Sequence, residues 1–191
     1  MPLHHRPPRI SLVLGRMRGA VKPRVLVAAL SLSAAGFVGL ATKEGYTDKA
    51  IVPTQGDRPT LGFGSTFHED GTPVKLGEVT SPVRALVKAQ AHLSAEEAKF
   101  RDSLPGVALS QAEYDLYMDF VYQYGNAAWA KSSMRTHLQA GRYEPACNAL
   151  LLYKYSAGYD CSTPGNKRCA GVWTRQQQRH AQCMAAIQAA G

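Results

Sequence analysis

At 191 residues the chain fits one domain and is long enough to bury a core, and its ordinary apolar and aromatic content argues against disorder beyond the ends. The formal charge of +8 is unevenly placed: seven of the 22 Lys and Arg and no Asp or Glu fall at or before Lys43, leaving fifteen basic against fourteen acidic residues. The nearly neutral body lacks the basic face that nucleic-acid binding needs, so that class of partner is set aside.

Residues 1–24 form a Pro- and Arg-rich leader without periodicity, and disorder is expected there. Met17 precedes its own basic stretch, so both Met1 and Met17 are open as starts. Residues 25–42 carry no charge and lie between Arg24 and Lys43, at the lower edge of the length that crosses a bilayer. Ala, Gly and Ser make up half of this stretch, which suits an export segment or a weak anchor with its basic end in the cytoplasm. The body then begins at residue 43. Between residues 50 and 65, short β-prone runs flank the turn cluster Gln55-Gly56-Asp57-Arg58-Pro59, which predicts a hairpin or small sheet.

After Gly71 the pattern turns helical. Ser81-Pro82 starts a helix running through Ala85, Leu86, Ala89 and Leu93. Ser110-Gln111-Ala112-Glu113 reads as a capping box opening a helix that stops before Gly125. Further helical stretches fit residues 131–140, 143–155 and 173–189. The sum is an α+β domain with a small sheet in front of a helical body. The even set of cysteines, Cys147, Cys161, Cys169 and Cys183, lacks zinc-type spacing and follows an export segment, so disulfides are expected. A nested pairing, Cys161 with Cys169 and Cys147 with Cys183, is favoured over its two alternatives. His68, His92, His137 and His180 show no paired ligand spacing, so neither a metal nor a cofactor is expected.

Glu44 stands where the apolar stretch meets a glycine and the hairpin, with Asp57 and Thr60 in the hairpin itself. A glycosidase needs a protonated carboxyl for the leaving oxygen and a second oxygen-bearing group on the other side of the scissile bond. An apolar helix end favours the protonated form by desolvation. Spacing alone also fits a solvated Glu at a helix terminus and an Asp serving a turn.

Longer motifs narrow that choice. Glu44-Gly45-Tyr46 followed by Pro59-Thr60-Leu61-Gly62-Phe63-Gly64-Ser65-Thr66 resembles the start of the phage-type lysozymes, glycoside hydrolase family 24. The resemblance continues in Phe120-Val121-Tyr122-Gln123-Tyr124-Gly125-Asn126 and Ser132-Ser133-Met134. It closes with Gly141-Arg142-Tyr143 and Gly171-Val172-Trp173-Thr174-Arg175, and covers roughly residues 38–185. It implies a lysozyme-like fold and hydrolysis of the β-1,4 bond between N-acetylmuramic acid and N-acetylglucosamine in bacterial peptidoglycan, for host lysis by a phage or prophage. The family's catalytic Glu falls on Glu44 and its Thr on Thr60. Its Asp falls on Pro53 or Thr54, neither acidic, so Asp57 is assigned the second role, with Asp48 behind it. The family's usual His is Ser65 here. Gln123 and Asn126 stand where the resemblance puts the substrate cleft.

Some phage lysozymes begin with a signal-arrest-release segment, a weakly hydrophobic helix that tethers the enzyme and later leaves the bilayer. Residues 25–42 have the composition such release needs. The resemblance therefore implies a monomer held at the inner membrane of a Gram-negative host and then freed into the periplasm. A chitin- or chitosan-cutting relative and a non-catalytic, membrane-anchored peptidoglycan binder are the rival readings.

Overall fold

The computed structural model describes residues 23–53 and 56–190; the leader up to Lys22 lies outside them. In chain order, β1 is Val25–Leu26, followed by a 3-10 turn at Val27–Ala29, and α1 spans Ala34–Glu44. Strands β2 (Thr47–Ile51) and β3 (Thr60–Gly62) form the expected hairpin, antiparallel with Ile51 opposite Thr60. Helix α2 runs Pro82–Asp102, β4 is Ala108–Leu109 and α3 is Gln111–Ala130. Helices α4 (Ser133–Gln139) and α5 (Tyr143–Ala149) precede a short hairpin of β5 (Tyr155–Ser156) and β6 (Tyr159–Asp160), and α6 (Ala170–Ala190) closes the chain.

The apolar stretch 25–42 is divided among three conformations rather than wound into one helix. Strand β1 pairs with β4, and Ser33, in extended backbone, caps α1 by accepting the Gly36 N–H. Among the described residues no helix is long and apolar enough to cross a membrane. Polar groups of α2 and α3 hold the segment in place. Arg24 donates to Glu113 through both Nε and Nη2, the Leu32 N–H donates to Glu97 at 2.6 Å, and the Ser33 N–H donates to Asp115 at 2.9 Å. Apolar burial adds to this, since Val27 is wholly buried and Leu40 nearly so. Gly36 crosses close to α3: a Cβ there would lie 2.9 Å from Asp115 Cγ.

The main core is aromatic. Trp129 packs on Phe100 at 4.9 Å and on Tyr117 at 5.5 Å between centroids, and its indole N–H donates to Ser103 Oγ at 2.8 Å. Helix α3 serves this core and then bends. Gly125 takes φ 77°, a left-handed conformation that breaks the helical run where the sequence predicts a stop. The predicted helix over 143–155 ends early. Ala149 is its last α residue, a 3-10 turn follows at Leu150–Leu152, and the chain reverses through Ala157 and Gly158, both at positive φ. The cysteines pair as Cys147–Cys183, tying α5 to α6, and Cys161–Cys169, closing the loop before α6.

Candidate active site

Glu44 is the last residue of α1 because Gly45 takes φ 71° and turns the chain into β2. Its Oε1 accepts from Arg175 of α6, at 3.3 Å from Nη1 and 3.4 Å from Nη2. Oε2 faces the loop after β3, 3.8 Å from where a Cβ on Gly64 would lie, and it is the positive φ of 77° that calls for glycine there. A second, tighter turn leads out of β3, closed by reciprocal backbone bonds between Leu61 and Ser65, 3.0 and 3.1 Å.

Arg175 also donates to Asp119 of α3 at 3.0 Å, and Asp119 is further paired with Arg179 and with Lys43. Burial works against ionisation of Asp119, yet Arg179 above all, with Arg175 and Lys43, outweighs it and holds this carboxyl below its ordinary value. One buried carboxylate thus joins α1, α3 and α6 beside Glu44.

A cavity of about 610 Å³ opens over Glu44. The hairpin and the loop after it supply one wall from Phe63 to Glu69, α2 supplies Lys88 and His92, and α3 supplies Tyr122 and Gln123. The Tyr122 hydroxyl donates to the Phe63 carbonyl at 3.1 Å, linking two walls. Burial, reinforced by the Glu44 carboxylate, pushes that phenol up to about 12, so it remains a donor at neutral pH. Burial pushes the Lys88 ammonium down, partly opposed by Glu69, Glu78 and Asp70. Gln123 lines the cavity, and its Oε1 is buried and without a hydrogen-bond partner among the described residues.

Of the residues the sequence singles out, Glu44 and Gln123 line this cavity. Thr60 sits at the start of β3 with its hydroxyl 3.5 Å from the Ile51 carbonyl, and Asp57 is exposed in the hairpin turn; neither is in the lining. Asn126 lies just past the bend of α3 and donates to the carbonyl and carboxylate of Glu96, at 2.9 and 2.7 Å. The sequence reading missed Arg175, Lys88 and Glu69. The first had a signal, an Arg one helical turn before Arg179 on the same face of α6.

A carboxyl at a helix end, over an open cleft whose far wall is the loop after a hairpin, supplies one of the two groups that glycoside hydrolysis uses. The family model described as phage lysozyme matches residues 41–179, and the chain belongs to that family. The endolysin of Salmonella phage P22 is 30% identical over 131 residues, 69% of this chain and 88% of that protein. A solved P22 lysozyme mutant superposes with a TM-score of 0.65 at 26% identity, covering 81% of this chain and 99% of the other. An endolysin of the Escherichia coli phage FAHEc1 shares the fold, with a TM-score of 0.69 at 21% identity over 82% of this chain and 94% of that one. The protein is therefore a glycoside hydrolase of the muramidase class, with peptidoglycan as its substrate.

Proposed function

We propose that Glu44 is the general acid, delivering its proton from Oε2 to the glycosidic oxygen as the bond to the muramic acid sugar breaks. The carrying observation is the division of labour within this carboxyl: Arg175 holds Oε1, while Oε2 faces the open side of the cleft at Gly64. Water adds at the anomeric carbon and its proton restores the acid, so the reaction needs no cofactor. Gln123, which lines the cleft, is placed to contact the sugar through its side-chain amide. The group on the other side of the sugar is assigned among Asp57 and Thr60, by hairpin position, and Glu69, which shares the cavity with Glu44.

The test is clearing of outer-membrane-permeabilised Gram-negative cells, followed by release of reducing ends from peptidoglycan. Glu44→Gln is expected to lose at least about a hundredfold in kcat with the fold intact. Asp57→Asn, Thr60→Ala and Glu69→Gln run in parallel identify the partner as the variant whose loss matches. Retained binding with no reducing ends from the unaltered protein would sink this reading in favour of a non-catalytic binder. A preference for chitin would move the substrate to a related glycan.

The biological setting proposed is phage or prophage lysis of a Gram-negative host by a monomer. Residues 25–42 carry the chain to the inner membrane and hold it there, and on release they dock as β1, the 3-10 turn and α1. Supporting this reading, the stretch leads through Lys43 into Glu44 and is seated by Glu97 and Asp115 of the body, with Arg24 just before it paired to Glu113.

A further inference from the structure

Away from the cleft, the β5–β6 hairpin and the loop behind it form one clipped unit. Cys161–Cys169 closes the loop, the Asn166 side chain donates to the Asp160 carbonyl at 2.9 Å, and the Arg168 guanidinium lies 4.1 Å over the Tyr159 ring. None of these residues lines the cleft. The unit is apolar on its outside. Leu152, Tyr155 and Tyr159 are 65%, 57% and 47% exposed, and Ala157 and Gly158 at the turn are exposed with them. Large apolar groups gathered this closely in water mark a surface that something covers. Tyrosine suits a boundary in particular, because its ring is apolar while its hydroxyl stays wet.

The charge of the unit is one-sided. Residues 152–169 carry Lys154, Lys167 and Arg168 against one carboxylate, Asp160, and no Asp or Glu follows it in the sequence. Asp160 is satisfied from within, by Lys154 at 2.8 Å and by the Ser162 hydroxyl at 2.6 Å. Lys167 and Arg168 are exposed, and among the described residues neither pairs with a carboxylate. Stacking on Tyr159 orders the Arg168 guanidinium and leaves its edge N–H groups to meet phosphate oxygens. A partner that fits offers phosphate charge beside an apolar layer. Free phosphate has only the first, and a glycan strand lacks the second.

We propose that the folded enzyme docks on anionic phospholipid bilayers through this unit. Leu152, Tyr155 and Tyr159 enter the headgroup layer, and Lys167 and Arg168 meet the lipid phosphates. The contact lies on the bilayer and does not cross it, since β5 and β6 are two residues each. It is separate from residues 25–42, which the fold packs against α2 and α3. The enzyme is thereby held at a membrane face with the lining of its cleft untouched.

The experiment is cosedimentation of the full chain with phosphatidylcholine vesicles, with and without phosphatidylglycerol. Binding is expected to the anionic vesicles and weakens as ionic strength rises. Lys167→Gln with Arg168→Gln should lower the affinity about thirtyfold, the worth of two cations near such a surface. Tyr155→Ser with Tyr159→Ser should lower it about tenfold through the lost apolar contact. Both pairs alter exposed side chains, so both should melt with the unaltered protein and cut soluble peptidoglycan strands at its rate. Should either pair fail to fold, Arg168→Glu alone carries the test, as it changes the surface charge by the same two units and predicts the same thirtyfold loss. Equal binding to neutral and anionic vesicles, or binding by the variants equal to that of the unaltered protein, overturns the proposal and leaves the N-terminal segment as the lipid contact. No binding to either vesicle overturns it too. Variants that keep vesicle binding and lose binding to purified sacculi would assign the surface to the glycan instead.

Discussion

Asp119 shows how much of the site depends on residues that never meet the substrate. It is almost fully buried and accepts three cations, and without it Arg179, 1% exposed, would face no carboxylate. Removing one partner of such a set costs about 3–5 kcal/mol, so Asp119→Ala should lower the midpoint of thermal melting by on the order of 10 °C. The acid response follows from the direction of its shift. A folded-state value below the ordinary 3.8 means the contribution is complete above that pH and is lost as pH falls through the depressed value. Melting curves of the unaltered protein should therefore fall steeply below about pH 4, and those of Asp119→Asn less so. Glu44 was legible in the sequence because its glycine and hairpin follow it directly. Asp119 was not, because its partners lie 56 and 60 positions away on α6, and a lone Asp in a helix carries no mark of them.

At the level of elements, signals written in neighbouring residues survived. Ser110 and Glu113 form the capping box the spacing predicts, and Ser81 caps α2 with Pro82 behind it. Two-residue strands such as β1 and β4 were invisible, since they exist through pairing with partners more than eighty positions away. Glu96 and Glu97 stand in a run of mixed charge whose composition alone fits a solvated face, yet Glu96 accepts from Asn126 and Glu97 from Leu32 and Tyr114. The disulfides differ in what they restrain. Cys147–Cys183 spans 36 positions and Cys161–Cys169 only 8. Loop-closure entropy predicts stabilisation of about 4 and about 2.5 kcal/mol. In urea melts under identical conditions, Cys147→Ser with Cys183→Ser should lose more than Cys161→Ser with Cys169→Ser; the reverse order would mean that strain or residual structure outweighs chain entropy.

For the whole molecule, the decisive matter is where the mature chain begins. Val27 and the Arg24–Glu113 pair make the N-terminal segment part of the folded body. Sequencing of active protein from the periplasm should find an N-terminus at or before Arg24, and a start near Thr42 would remove most of α1 and sink the release proposal. The α+β class and the hairpin-then-helices order were readable from periodicity and turn residues. The fate of residues 25–42 was not, because their composition suits a bilayer as well as a protein core. The close passage of Gly36 over Asp115 now bears on the chemistry at the far end of α1. Sliding this helix by one residue would turn it about 100° and bring a side chain with a Cβ against Asp115. It would also move Lys43 or Gly45 into the place of Glu44. A single missing methyl group, eight positions before Glu44, therefore acts as an indexing notch that fixes the angle at which this carboxyl, the proposed proton donor, enters the cleft.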